Sequence, residues 1–365
     1  MNERALRVAV WSTGGIGSLS IGAVRDRDDM ELVGVWVHSP EKVGRDAGEL
    51  ANGLPIGLAA TDDVEALLAL EPDCVVYAAC GPERDAAAMP DYLRLLAAGV
   101  NVVTTTSTHL VNPSAFDPTW RAQLEEAAMA GGSSIHAAGI NPGFALDQLA
   151  LVLATQSHSI TSIYVAELGL YDDYAAVDTM RNILGFGMPP EFEPMIGMPG
   201  VIAAAFGAEV ELLAHELGLA LDEVTGLFDR RMADRPLDVA FGRVEPGTCA
   251  AVRMRAAGVV AGRDAIVFEH VTRLASDVAP EWPAAAGAVS YRIVIDGDPD
   301  VDCTMIPTLK DPASAGIGWM SSGAGAMMAT AARAVNAVPH VVAAPPGLVR
   351  SLDLPLTLPV GAFAR

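Results

Sequence analysis

The stretch RVAVWSTGGIGSLSIGAV, residues 7–24, constrains the fold more than any other part of the chain. An apolar run ending at Trp11 leads into a turn that holds Gly14, Gly15 and Gly17, and the residues from Ile16 onward have the composition of a helix. A strand, a bare turn and a helix in that order leave backbone N–H groups open at the positive end of the helix, where an anion is favoured. The G-x-G-x-x-G pattern is incomplete, because Ser12 stands in the first glycine position while Gly14 and Gly17 fill the second and third. Its context is intact, with a second apolar run, ELVGVWV (residues 31–37), following at the distance a βαβ unit requires. The pattern predicts a pyrophosphate site lined by Ser12, Thr13, Gly14, Gly15, Ile16 and Gly17, and with it a dinucleotide-binding domain.

That rhythm continues. RVAVW, ELVGVWV, DCVVYAA, NVVTTT and SSIHAAG read as strands, with helical segments near Ile16–Asp26, Asp62–Leu70, Ala86–Ala98 and Ala115–Ala130. Alternating strands and helices predict an α/β fold, an N-terminal doubly wound parallel sheet spanning residues 1–145. Beyond Gly139 the texture changes. LDQLALVLATQ is helical, SIYVAELGLYDD is a charged strand, a helix is expected near Val210–Leu217, and CAAVRMRAAGVV, RDAIVFEHVTRL and AVSYRIVIDG are strand-like. These predict an α+β substrate and dimerisation domain over residues 146–310, with an open mixed or antiparallel sheet. The tail, 311–365, opens with a small-residue helix that Pro339 is expected to stop, and is predicted to pack back on the N-terminal domain.

At the end of the second strand, a site that prefers NAD(H) would carry a carboxylate for the ribose 2′-hydroxyl. This chain has His38 and Ser39 there, followed by Lys42 and Arg45. With no carboxylate to repel a 2′-phosphate, Ser39 as donor and Lys42 or Arg45 as countercharge predict that NADP(H) is accepted, alone or alongside NAD(H). Ala79 and Thr105, at the ends of the third and fourth strands, and Asn141, in the turn after the fifth, are the further expected cofactor contacts.

The fourth strand runs into five hydroxyl residues, Thr104–Thr108, and then His109. Open α/β sheets place ligands beyond the C-terminal ends of their strands. Ser107 and Thr108 are therefore candidate donors to a reacting oxygen or nitrogen, and His109 a candidate proton relay. The competing reading is structural, with the hydroxyls bonding nearby backbone and His109 facing solvent.

The composition narrows the partners. With 45 acidic and 23 basic side chains the formal charge is −22, which opposes binding to nucleic acid or an anionic membrane. Cys74, Cys80, Cys249 and Cys303 show neither CxxC spacing nor zinc-ligand spacing with histidine, so no metal site is expected and reduced thiols in a cytoplasmic protein are.

Four segments carry a family resemblance: the glycine turn, HSPEKVGRDAGEL (38–50), GINPGF (139–144) and TAARAVNAVPHVVAAPPG (330–347). With them the chain resembles the dihydrodipicolinate reductase-like oxidoreductases that include 2,4-diaminopentanoate dehydrogenase and bacterial amine dehydrogenases. The resemblance implies a Rossmann domain, a substrate domain with an open sheet, a nicotinamide cofactor and a homodimer. Dihydrodipicolinate reduction itself is not implied, because that activity goes with a His-His pair and a lysine-bearing motif. Here the only lysines are Lys42 and Lys310, and no histidines are adjacent. In the amine dehydrogenases of this group, a glutamate that handles the proton of ammonia or the amine follows the strand matching NVVTT. Here Thr106, Ser107 and Thr108 occupy those positions.

In the second domain, Glu167, Tyr171, Asp172, Asp173 and Tyr174 form a cluster that is a candidate source of the carboxylate missing after the fourth strand. Met and Phe residues of the segment 183–198, Phe186 and Met188 among them, suit an apolar substrate, and His136, Tyr171 and Tyr174 are further candidate substrate contacts. The sequence supports two functions: hydride transfer to or from an apolar substrate at C=O/CH–OH or C=N/CH–NH, and a catalytically inactive dinucleotide-binding sensor or interaction protein.

Overall fold

A computed structural model describes residues 4–79, 84–313, 315, 317–318 and 323–362; Cys80 and residues 319–322 of the tail lie outside the described residues. The chain divides into two units, one of residues 1–144, 310–318 and 327–365, the other of 145–309 and 319–326.

The first unit follows the expected alternation. Its elements are β1 (Leu6–Trp11), α1 (Gly15–Arg25), β2 (Met30–Trp36), α2 (Ala47–Leu50), α3 (Val64–Leu68), β3 (Cys74–Tyr77), α4 (Arg84–Ala97), β4 (Asn101–Thr104), α5 (Pro118–Gly131) and β5 (Ser134–Ala137). The strands pair in parallel in the order β5-β4-β3-β1-β2, so that the chain reverses its direction of growth at β1. Beyond β2, Thr61 forms a single parallel bridge to Trp36, a vestige of the next strand of a doubly wound sheet. Both faces are covered, which is why these strands read as unbroken apolar runs. One face packs Val8, Val10, Val35, Val76 and Val103 under Ile21 and Val24 of α1. The other packs Trp11, Val75, Tyr77 and Val102 under Tyr92, Leu95 and Leu124 of α4 and α5.

In the second unit α6 (Gln148–Ala154) leads to a six-stranded mixed sheet. Its strands are β6 (Ser159–Leu170), β7 (Glu223–Met232), β10 (Cys249–Val260), β11 (Arg263–Arg273), β12 (Val289–Asp298) and β13 (Val301–Met305), in the order β13-β12-β6-β11-β10-β7. The β6/β11 pair is parallel and the others antiparallel, so the mixed alternative holds. Helix α7 (Val201–Glu216) packs against β7, β10 and β11, and β8 (Leu237–Val239) pairs with β9 (Gly242–Val244) as a separate hairpin. Helix α7 starts nine residues before the expected Val210, because Ile202 and Ala208 turn inward and extend its buried face.

In the tail, α8 (Ala324–Val342) passes through Pro339 instead of stopping there. Proline removes one helical hydrogen bond, yet Val335, Val338 and Val341 are buried on the same side and hold the last turn in place. The proline-rich stretch that follows contains β14 (Gly347–Val349), which pairs in parallel with β5 and extends the first sheet to six strands. No helix among the described residues is long and apolar enough to cross a membrane.

Candidate active site

Ser12 has φ +90°, the left-handed region that a glycine would occupy without strain. The serine therefore adopts the conformation of the first motif glycine. Gly17 is buried, and a β-carbon there would lie 2.0 Å from the Ser12 carbonyl oxygen, so only glycine lets α1 approach the end of β1 this closely. Gly14 differs. It is the exposed N-cap of α1, it makes no side-chain cap, and a β-carbon there would meet only Ser12 Oγ at 3.9 Å. An 11-residue helix thus presents uncapped amides beside an open backbone, with Thr13 buried, Gly15 and Ile16 half-buried, and no β-carbon in the way. These residues fit a pyrophosphate.

The loop after β2 returns to this turn. Lys42 Nζ donates to Thr13 Oγ1 at 3.1 Å, which places a cation beside the glycine loop, while His38 and Arg45 are exposed and Ser39 is half-buried. The loop is organised by Asp46, whose carboxylate accepts amide hydrogens from Ile56, Gly57, Gly48 and Glu49 and is held below the usual carboxylate range by them. Across the C-terminal edge of the sheet, Trp36, Trp11, Tyr77, Thr104 and Ala137 stand in one register row. Trp11 stacks on Trp36 at 4.2 Å and on Tyr77 at 5.4 Å.

The hydroxyl run lies at the end of that row. Tyr92 of α4 is fully buried, and its hydroxyl lies 2.7 Å from Thr104 Oγ1 and 3.1 Å from Ser107 Oγ. Thr104 Oγ1 also accepts from the Thr106 amide, and Thr106 Oγ1 donates to the Ala79 carbonyl at 2.6 Å. The Thr105 amide donates to the Tyr77 carbonyl. Thr106 therefore fastens the loop after β4 to the end of β3, Thr104 and Ser107 tie it to α4, and all three are buried. Thr105, Thr108 and His109 remain half-exposed, and His109 Nδ1 lies 3.6 Å from Asp85 Oδ2. Sequence reasoning missed Tyr92 and Asp85, since neither belongs to a recognisable motif and both reach the hydroxyl run from α4.

Two segments of the family resemblance meet in the first unit. A β-carbon on Gly139 would lie 2.8 Å from the Pro142 carbonyl oxygen, so the GINPGF turn needs its glycine there. Arg333 of α8 donates to the Gly143 carbonyl at 3.2 Å and to Thr357 Oγ1 at 2.7 Å, with its guanidinium 4.8 Å from the Phe144 ring centre. Asn141 lies in this turn, half-buried. His136 is packed in the sheet: it is 1% exposed, its Nδ1 lies 2.9 Å from the Val349 carbonyl oxygen, and burial pushes its pKa down to about 4.

In the second unit, Tyr171 stacks on Tyr174 at 5.4 Å, and its hydroxyl donates to Glu167 Oε1 at 3.4 Å. His270 Nε2 lies 3.8 Å from the same carboxylate oxygen. Phe186 is fully buried and Met188 half-buried, whereas Met195 and Met198 are exposed. The apolar segment is anchored by Arg230, which donates to the Pro190 and Phe192 carbonyls at 2.6 Å each. Glu209 and His270 also escaped the sequence reading; only the burial of Glu209 and the placement of His270 beside Glu167 mark them out. Among the described residues no three His, Cys, Asp or Glu side chains are placed to hold a metal ion.

The glycine loop, the helix N-terminus and the doubly wound sheet define a Rossmann-type dinucleotide-binding protein. Residues 144–363 match the family of the 2,4-diaminopentanoate dehydrogenase C-terminal domain. The chain is 36% identical over 364 residues, 99% of either sequence, to an amine dehydrogenase of Streptomyces virginiae. It is 24% identical over 263 residues, 70% of this chain and 67% of the relative, to a 2,4-diaminopentanoate dehydrogenase of Acetoanaerobium sticklandii. The solved structure of an amine dehydrogenase from Mycobacterium smegmatis has the same fold, with a TM-score of 0.75 over 98% of both chains at 22% identity. The chain belongs to the family of amine and 2,4-diaminopentanoate dehydrogenases, which are NAD(P)-dependent oxidoreductases.

Proposed function

We propose that the enzyme interconverts an apolar primary amine and the corresponding carbonyl compound with NAD(P)(H). The observation that carries this reading is the identity to the Streptomyces virginiae amine dehydrogenase along 99% of the chain. In the oxidative direction the protonated amine, water and NAD(P)⁺ give the carbonyl compound, ammonium, NAD(P)H and one proton. Ser12–Gly17 and the N-terminus of α1 hold the dinucleotide, which supplies or accepts the hydride; Ala79, Thr105 and Asn141 complete its site, and Lys42, with Ser39 and Arg45, admits a 2′-phosphate. Thr108 donates a hydrogen bond at the reacting centre. His109, with the Asp85 carboxylate near its ring, exchanges the proton with solvent. Ser107 acts on this centre through Tyr92, by fixing the loop that carries Thr108 and His109.

The apolar substrate class rests on Met188, Met195 and Met198 of the segment tied down by Arg230, which the fully buried Phe186 packs from within, with Tyr171 and Tyr174 as further contacts. A cytoplasmic homodimer belongs to the same reading. Simple carbonyl reduction is the second reading, favoured by the hydroxyls at 106–108 in place of a carboxylate. No observation favours a non-catalytic sensor.

Hydrophobic ketones incubated with NADPH or NADH, with and without ammonium, test the proposal. Turnover that depends on ammonium is expected, and equal turnover without it would replace amination by carbonyl reduction.

A further inference from the structure

Glu209 is 3% exposed, and among the described residues its Oε2 has no hydrogen-bond partner. A buried oxygen of this kind needs a reason, a missing donor or a functional role. Its surroundings add negative charge. Asp147, which caps α6, and Glu167 of β6 both act on it, and burial together with these two carboxylates pushes its pKa well above the usual range.

The sheet beneath is equally specific. Glu167 stands in register between His270 of β11 and Tyr291 of β12, so the three side chains share one face. Phe206, one helical turn before Glu209 on α7, stacks on Phe268 at 4.5 Å and lies edge-on to His270 at 6.4 Å. That contact lays the helix face carrying Glu209 over the sheet face carrying Glu167. The titratable groups around Glu209 on these elements include Asp147, Glu167, Tyr171, His270 and Tyr291, with His270 a base placed beside Glu167. The nearby Arg273 is engaged elsewhere, donating to the carbonyls of Val278, Ala279 and Trp282.

Three carboxyls converge here, one with an open oxygen, and aromatic rings stand beside them. We propose that Glu209, with Asp147 and Glu167 around it, binds a primary ammonium group, either ammonium itself or the protonated amine of the substrate. A compact cation with several N–H donors satisfies the open oxygen and offsets the acidic surroundings, and the rings of Phe206 and Tyr171 suit its alkyl part. The site rests on the amine-dehydrogenase reading.

Calorimetric titration of the full-length protein with ammonium chloride and with methylammonium chloride, against potassium chloride at equal ionic strength, tests this. Saturable binding of ammonium or methylammonium is expected, with up to about one proton released per cation, read from buffers of different ionisation enthalpy. Glu209→Gln should weaken binding at least about tenfold while leaving NADPH affinity unchanged and raising or preserving thermal stability. Glu167→Gln, which alters a different element, should weaken it severalfold and covers the case in which the first variant does not fold. Ammonium alone binding assigns the site to the free ion, and methylammonium binding assigns it to the substrate amine. An equal response to potassium, or undiminished binding in both variants, overturns the proposal. If turnover needs ammonium and Glu209→Gln keeps the wild-type KM for it, the site is refuted and the function stands. If Glu209-dependent binding occurs with no amine turnover, the function is refuted and the site stands.

Discussion

The Ser12 carbonyl oxygen lies 2.0 Å from where a β-carbon on Gly17 would stand, so the strained serine and the buried glycine close the glycine loop against each other. The first prediction follows from this closure. Gly17→Ala must push α1 away from β1, and overpacking against backbone destabilises by about 1–3 kcal/mol. Dinucleotide affinity should fall at least about tenfold, because the helix N-terminus shifts from the pyrophosphate site. Ser12→Gly removes the left-handed strain and should preserve or raise stability. Urea unfolding and fluorescence titration of NADPH measure both; full cofactor affinity in Gly17→Ala would contradict the assignment of this loop.

Tyr92 links the hydroxyls of Thr104 and Ser107 inside the first unit, where neither can reach water. Tyr92→Phe keeps the ring and leaves the Ser107 hydroxyl without that partner, a loss of about 1–2 kcal/mol. Because the same loop carries Thr108 and His109, kcat should fall while cofactor affinity changes little. Ser107→Ala removes the other end of the bond and should resemble Tyr92→Phe. A Ser107→Ala enzyme with full stability and negligible activity would instead make Ser107 a direct partner of the reacting atoms.

Lys42 donates to Thr13 beside the glycine turn, and the end of β2 offers His38 and Ser39 where a carboxylate would exclude a 2′-phosphate. Lys42→Ala should weaken NADPH binding by about 1.5–3 kcal/mol, the range for a charge-assisted hydrogen bond, and NADH binding by less. Paired titrations of the two cofactors decide the matter. NADH bound at least about tenfold more tightly than NADPH by the wild type would remove the 2′-phosphate from this loop.

The first sheet was legible because strands buried on both faces form unbroken apolar runs between helical segments. Ser12 was legible as the irregular member of the glycine motif; the structure adds that it takes a glycine conformation. The remainder depended on tertiary partners. The GLV of β14 is three residues in a proline-rich stretch, and it becomes a strand only by pairing with β5. EVTGLFDRRM, with charges at both ends and a glycine within, lacks the alternation of a half-buried strand, and its pairing with β10 makes it one. Glu209 sits two residues from Glu211 on an apolar helix, where sequence cannot tell a buried acid from a solvated face. Tyr92 joins the hydroxyl run from another helix, a relation no local pattern expresses.

His136 carries the last prediction. It is sealed between β4 and β14, and burial outweighs its bond to the Val349 carbonyl, so its pKa falls to about 4 against an ordinary value of 6.5. The folded protein therefore keeps this imidazole neutral where the unfolded chain protonates it. Between those two values the unfolded state binds more protons, so stability rises with pH. The contribution is fully present above pH 6.5 and is lost progressively as the pH falls toward 4, by up to a few kcal/mol, on the order of 1.4 kcal/mol per pH unit. His136→Gln cannot titrate in either state. It should start less stable at pH 7, through imperfect packing in the sheet, and lose less than the wild type on acidification. Urea unfolding at intervals from pH 7 to pH 4.5 compares the two slopes. Equal slopes would show that His136 gains a proton in the folded protein as readily as in the unfolded chain, and would place it in contact with solvent or ligand instead of the sheet core.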